Sequence, residues 1–354
     1  MKNNRPLVCR FGALGDIIMV TPMLKRLYER SGAPVDFITI GEWSKHLFDH
    51  MPYVNDVYTI KSRKTPYLFN QSQKKLVKHL KEECYENTWL CESNKKSIRL
   101  LNKGGITTKN SISSYESPRF TNEHFVNHWI RLANMSPANC SYPQLDEPQA
   151  ENTELFVTDY EIEVCKNWLR TRGINHKAPL ICIQAGNKRT TRTGNRKRAS
   201  NLKYWPETDW AKLIDAIIAN MSDAQIILCG VPQEKSLTLE IKTLCSFQTN
   251  VFSVADDLPL RRLMALMSMS HSCISVDTGP AHIAAAVNCP LTVLVGKTDA
   301  RIYCPKSSES KVIIVAGRDL EQELSDGEAS WRAAHDMNLI TVDAAIDGWK
   351  KSST

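Results

Sequence analysis

The stretch from Ser272 to Gly296 constrains the fold more than any other part of the chain. Cys273 to Val276 is a short apolar run suited to a buried strand. Asp277-Thr278-Gly279-Pro280 follows: Thr278 can cap a helix, Gly279 lets backbone approach a ligand, and Pro280 suits a first helical turn. Asn288-Cys289-Pro290 stops that helix, and Leu291 to Val295 is a second buried strand. Two such strands joined by a helix make a right-handed βαβ unit, which requires a parallel sheet. The Asp277-Thr278-Gly279 loop then lies at the carboxyl end of a strand and the amino end of a helix, where free N–H groups bind anions such as phosphate. His282 falls about one turn into the helix, near that mouth. Taken alone, the pattern fits a capping loop and a core histidine equally well.

Length supports more than one such unit. The 354 residues suggest two domains, and 42% hydrophobic against 23% charged residues is an ordinary globular balance. A net charge of +7 is too small to imply nucleic acid, though it suits an anionic substrate or an acidic membrane face. The 11 cysteines form no CxxC pair, and Cys9, Cys182, Cys229 and Cys273 fall in strand-like runs, as buried reduced thiols of a cytosolic protein would. The start of the chain has no signal-peptide pattern, and no apolar run reaches the ~20 residues of a membrane span. Any membrane contact is therefore expected to be peripheral.

Read in order, Leu7 to Phe11 is a strand, followed by Gly12-Ala13-Leu14-Gly15-Asp16 and a helical pattern in which Pro22 kinks or delays the helix. Asp16 stands at the helix entrance as an N-cap or as a carboxylate facing a cleft; the spacing is not GxGxxG. Strands follow at 35–40 and 57–60, then a basic loop with Lys61, Arg63 and Lys64. Helices are expected at 43–50, 70–83, 95–101 and 125–135, a weaker strand at 88–91, and loop over 107–121. Residues 136–152, with Pro137, Pro143 and Pro148, read as an extended linker. The helix 159–172 leads into a fresh alternation: strands at 180–184, 224–229, 251–253 and 312–315, and helices at 210–219, within 232–245, at 260–268 and at 342–351. Two βα series across a proline-bearing linker imply two Rossmann-like domains with a cleft between them.

Several landmarks coincide. They are Arg10 to Ile18 with Thr21-Pro22, Lys203-Tyr204-Trp205-Pro206 with Trp210, Gly230 with Glu234 and Lys235, and Ser275 to Ala285. From about residue 5 to 296 the chain resembles glycosyltransferase family 9, the lipopolysaccharide heptosyltransferase-like enzymes of the GT-B fold. The resemblance implies an α/β protein with two parallel sheets facing across a cleft. Its expected parts are an acceptor-binding domain over 1–152, a helical linker over 153–178, a nucleotide-sugar-binding domain over 179–340 and a C-terminal helix over 341–354. It implies a metal-independent, inverting transfer of heptose from ADP-heptose to the inner core of lipopolysaccharide or lipooligosaccharide, with no cofactor. Asp16 is the implied general base, and Lys203 stabilises phosphate charge on the departing nucleotide. Donor contacts are implied for Gly186, Thr190, Thr191, Glu234 (to ribose), Asp277, Thr278, Gly279 and His282. Gly15, Lys61, Arg63 and Lys64 face the acceptor. The partners implied are a nucleotide sugar and an anionic lipid-linked oligosaccharide, with the protein cytoplasmic and peripheral to the inner membrane.

The chain departs from the family pattern between Gly186 and Lys203, where a long basic stretch from Lys188 to Arg198 fits either a solvated loop or a lid closing on diphosphate. Alternatives remain: the same fold moving another nucleotide-linked sugar or glycosylating a protein, and a non-catalytic nucleotide-binding protein. A nucleic-acid binder lacks any reading module or aromatic platform.

Overall fold

The computed structural model describes residues 3–146, 152–190, 201–307, 309–317 and 328–354. The chain divides into two compact units, Met1–Phe156 and Val157–Thr354.

The first unit is built on a five-stranded parallel sheet. Its strands are β1 (Leu7–Cys9), β2 (Val35–Ile40), β3 (Val54–Ile60), β4 (Thr88–Leu90) and β5 (Ser111–Ser113), in the spatial order β3-β2-β1-β4-β5. β1 and β4 are wholly buried apolar or β-branched runs, as strands covered on both faces must be. Between β1 and β2 the helical pattern divides at Pro22. A short helix Leu14–Ile18 ends, and a second begins at Thr21 with Pro22 in its first turn, where the missing N–H costs nothing. The proline therefore opens a helix and does not kink one. Leu76 and Leu80 of Gln71–Glu83 and Leu101 of Lys95–Lys103 pack against Leu7 and Cys9 of β1 and close one side of the sheet.

The second unit carries a six-stranded parallel sheet. β6 (Leu180–Gln184), β7 (Gln225–Leu228), β8 (Val251–Ser253), β9 (Ser272–Val276), β10 (Leu291–Val295) and β11 (Val312–Ala316) lie in the order β11-β10-β9-β6-β7-β8. Helix Asp159–Thr171 precedes this sheet and starts on a capping box: Thr158 Oγ1 accepts from the Glu161 N–H, and Glu161 Oε2 accepts from the Thr158 N–H at 2.9 Å. Trp205 and Trp210 meet edge to face at 5.0 Å in the core, and the C-terminal helix Val342–Ser352 packs on β10 and β11 with the Trp349 indole N–H donating to Ser272 Oγ.

Two local expectations are corrected. The helix expected at 43–50 is a 3₁₀ turn, Glu42–Leu47. The loop expected over 107–121 contains β5, whose Ser-Ile-Ser sequence carries almost no strand signal. A further helix, Glu328–Ala334, which the sequence reading did not place, is anchored by the buried Trp331.

Both sheets have a point where strand order reverses: between β1 and β4 in the first, between β6 and β9 in the second. Loops leaving the carboxyl ends of such strand pairs diverge and open a crevice, the usual ligand position in open α/β sheets.

Candidate functional site

In the first unit, Asp16 leaves the end of β1 beside that switch point. It is the third residue of helix Leu14–Ile18, not its cap. Its Oδ2 accepts the Ala13 N–H at 2.8 Å, and its Oδ1 accepts from Arg10 Nη2 at 3.0 Å. Gly12 makes this turn possible, because a Cβ there would sit 2.4 Å from the Asp16 Cβ. Gly15 occupies the first turn of the same helix and its carbonyl accepts the Met19 N–H.

Arg10 is fixed on several sides. Nη1 donates to the Cys91 carbonyl at 2.9 Å, and the guanidinium lies over the rings of Trp129 and Phe125 at 5.3 and 5.9 Å. Glu92, one residue beyond Cys91, is 3% exposed. Its Oε1 accepts the Phe11 N–H at 2.7 Å and lies 4.0 Å from Arg10 Nη1, and its Oε2 lies 3.4 Å from Arg63 Nη1. Burial pushes the Glu92 carboxyl above its ordinary range, against the pull of Arg10, the Phe11 N–H and Arg63. Close by, burial holds His128 down to about 4, so it is neutral near pH 7 and accepts from Arg131 at Nδ1.

The three basic residues expected to face an acceptor are not gathered in one place. Arg63 turns to Glu92. Lys61 lines a cavity of about 660 Å³ with Lys45, Tyr58, Phe69, Lys75 and His79. Lys64 is exposed on a turn whose backbone is held by Ser62 Oγ.

In the second unit, Asp277 follows β9 and is 5% exposed. Lys203 Nζ reaches both its carboxylate, at 2.6 Å, and its carbonyl, at 2.7 Å. Thr278 occupies the N-cap position of helix Gly279–Ala286, but its side chain makes no capping bond; the turn is held by its carbonyl, which accepts the Ala281 N–H at 3.0 Å. His282 is buried in the same helix.

Across the switch point, the chain leaving β6 passes through Gly186 against Glu234. A Cβ on Gly186 would fall 2.4 Å from Glu234 Oε1, so any larger residue there would displace the Glu234 carboxylate. Glu234 Oε2 accepts the Val231 N–H at 3.1 Å, and Thr190 Oγ1 lies 3.3 Å from Oε1. Burial raises the Glu234 carboxyl above its usual range, with Val231, Gln184 and Thr190 opposing. Asn201 Nδ2 donates to Asn187 Oδ1 at 3.1 Å, tying the two ends of the basic stretch together. Most of that stretch, Thr191 included, lies outside the described residues.

A cavity of about 430 Å³ opens beside these loops, lined by Lys188, Arg189, Lys203, Thr278, Lys297 and Arg332 among others. Asp299 and Glu328 also reach it, and Lys297 pairs with Asp336 at 3.0 Å. Five cations around a pocket at a helix amino end suit a diphosphate. Among the described residues, no group of three or more His, Cys, Asp or Glu is placed to hold a metal ion.

Glu92, Asn187, Lys297 and Arg332 escaped the sequence reading. Glu92 and Lys297 carry the signal that drew attention to Asp16: a charged residue just past the carboxyl end of a parallel strand. Arg332 has no such signal, since its helix follows a polar stretch.

Two Rossmann-like parallel sheets, each with a polar site at its switch point, make an α/β protein of the GT-B fold class. The solved structure of the Escherichia coli ADP-heptose LPS heptosyltransferase II superposes with a TM-score of 0.73 at 20% identity, covering 99% of this chain and 98% of that one. That of E. coli heptosyltransferase WaaC with ADP gives 0.69 at 16% identity, covering 99% and 100%. The family model for glycosyltransferase family 9 (heptosyltransferase) matches residues 120–329, more than half of the chain, and the protein belongs to that family. Lipopolysaccharide heptosyltransferase 3 of E. coli is 34% identical over 144 residues, a match that spans 40% of each protein.

Proposed function

We propose that this protein is an inverting, metal-independent heptosyltransferase that moves a heptose from ADP-heptose to the inner core of lipopolysaccharide or lipooligosaccharide. The observation that carries the reading is the pairing of chemistries at the two switch points: a held carboxylate, Asp16, in one unit, and a cation-lined pocket around Lys203 and Thr278 in the other. In the proposed reaction, Asp16 takes the proton of an acceptor hydroxyl and its oxygen attacks the anomeric carbon of the donor. The bond from that carbon to the diphosphate oxygen breaks on the opposite face, so the configuration inverts and ADP leaves with the electron pair. Lys203 exchanges the Asp277 carboxylate for diphosphate oxygen, and the N–H groups at Gly279 add their partial charge. Glu234 accepts from the ribose hydroxyls; Thr190, held against it, shapes the nucleoside end, with Thr191, Gly186 and His282 as further donor contacts. Gly15, Lys61, Arg63 and Lys64 meet the acceptor.

The acceptor is an anionic lipid-linked oligosaccharide, so the protein works at the cytoplasmic face of the inner membrane through peripheral contact. Among the described residues, no helix is long and apolar enough to cross a membrane. A binding comparison of ADP-heptose with UDP-linked sugars by calorimetry tests the donor. ADP-heptose binding at least ~10-fold more tightly, a difference of about 1.4 kcal/mol, is expected. A preference for a UDP-sugar would instead mark the same fold working on another donor.

A further inference from the structure

The carboxylate of Glu92 is buried between two arginines and one backbone N–H, and it belongs to no part of the proposed reaction. We infer that Glu92 is the positioning residue for Asp16, acting through Arg10; the inference rests on Asp16 being the base. The geometry runs in one connected path. Glu92 Oε1 holds the Phe11 N–H at 2.7 Å, which fixes the backbone where β1 turns into the Gly12 loop. The same oxygen stands 4.0 Å from Arg10 Nη1, and Arg10 Nη2 holds Asp16 Oδ1 at 3.0 Å. The remaining oxygen of Glu92 meets Arg63. The segments that leave the switch point after β1 and after β4 are thus joined by the Phe11 N–H to Glu92 and the Arg10 to Cys91 carbonyl hydrogen bonds.

Charge explains why a carboxylate is used. Arg10 is 18% exposed and cannot shed its proton, so it is stabilised by negative partners. Arg10 Nη2 donates to Asp16 Oδ1 at 3.0 Å, so the direction from which the guanidinium reaches the base is set by its other partners. Glu92, 4.0 Å from Arg10 Nη1, supplies a second negative charge on the β4 side, while the Cys91 carbonyl and the Trp129 face fix the guanidinium plane. It also separates Arg10 from Arg63, whose like charges would otherwise oppose each other across the loop. The other charged groups near this cluster, Arg119, Glu123 and Arg131, pair among themselves or with backbone carbonyls on their own loop, so they do not replace it.

Glu92→Gln keeps an oxygen for the Phe11 N–H and removes only the charge. The expected result is a kcat lower by about 10- to 100-fold, the cost of a misplaced catalytic group, with the KM for ADP-heptose within twofold of wild type. Glu92→Asp, which restores the charge, should recover much of that loss. In an Asp16→Asn background, Glu92→Gln should add less than a further twofold, because residues acting as one unit are not additive. A kcat near wild type for Glu92→Gln, a loss carried entirely in donor KM, or a full additional loss in the Asp16→Asn background would each overturn the role. Should the Gln variant not fold, Arg10→Lys takes its place, and a kcat within twofold of wild type overturns the proposal equally. A wild-type kcat retained by Asp16→Asn would instead reject Asp16 as the base, a separable failure.

Discussion

Asp16 is held by two donors from its own loop, so its oxygens are aimed before any substrate arrives. Asp16→Asn should lower kcat by about 10²–10⁴-fold, the usual cost of removing a general base, and leave ADP affinity within a fewfold. Steady-state kinetics with calorimetry of ADP binding checks both. Lys203 is tied to Asp277, so Lys203→Met should weaken ADP binding by about 10- to 100-fold, as expected for a lost charge-assisted contact. It also leaves a buried carboxylate without its cation and should lower the Tm. The double variant Lys203→Met, Asp277→Asn should regain Tm without regaining ADP affinity; recovery of both would remove Lys203 from the donor site. Glu234 carries a pH signature. Its folded-state carboxyl is raised by burial, so its contribution to stability is fullest below the ordinary glutamate range and is lost as pH rises through the folded value. Glu234→Gln should therefore raise Tm near pH 8, the gain shrinking as pH falls toward 4, while it weakens ADP binding. A variant less stable at pH 8 would contradict this. Asp16 and Asp277 stood out because each follows a strand and opens a helix, whereas Lys203 stood out only through the resemblance carried by Lys203-Tyr204-Trp205-Pro206. The Lys203–Asp277 and Glu92–Arg63 pairings were not legible, since contacts 74 and 29 residues apart leave no local trace.

At the scale of elements, helix Asp159–Thr171 shows how one side chain serves two ends. Glu161 closes the capping box at Thr158 and also takes Arg261 from helix Leu260–Ser268 in a two-pronged pair, at 2.6 and 2.5 Å. Arg261 and the Thr158 donors together hold the Glu161 carboxyl down to about 2, despite its partial burial. That contribution is complete above the ordinary glutamate range and is lost as pH falls toward 2. Glu161→Gln should lower stability by ~1–3 kcal/mol at pH 7, with the gap to wild type closing in acid. Chemical denaturation at pH 7 and pH 3 measures it; an equal gap at both would place the effect in packing alone. Such helices were plain in the sequence because amphipathic spacing and caps agree. β5 and helix Glu328–Ala334 were not, because their stability comes from edge pairing with β4 and from one buried tryptophan, both supplied by distant chain.

For the molecule as a whole, two parallel sheets were readable from the alternation of strands and helices, and strand order was not. Nothing in β1 alone says that β4, rather than β3, pairs beside it; that choice sets the switch point and brings the loop carrying Glu92 beside the one carrying Asp16, as the pairing of β9 with β6 brings the loop carrying Asp277 beside the one carrying Gly186. If cations and the helix amino end supply the charge for the departing diphosphate, turnover should be unchanged by EDTA; a loss restored by magnesium or manganese would oppose that. The account stands most directly on one measurement: mass spectrometry of a Kdo-bearing inner-core acceptor incubated with ADP-heptose and the wild-type or Asp16→Asn protein. The account predicts acceptor-dependent ADP release and a product heavier by one heptose with wild type, and almost none with the variant. Equal product from both proteins, or none from wild type with ADP-heptose while a UDP-sugar is transferred, would contradict it.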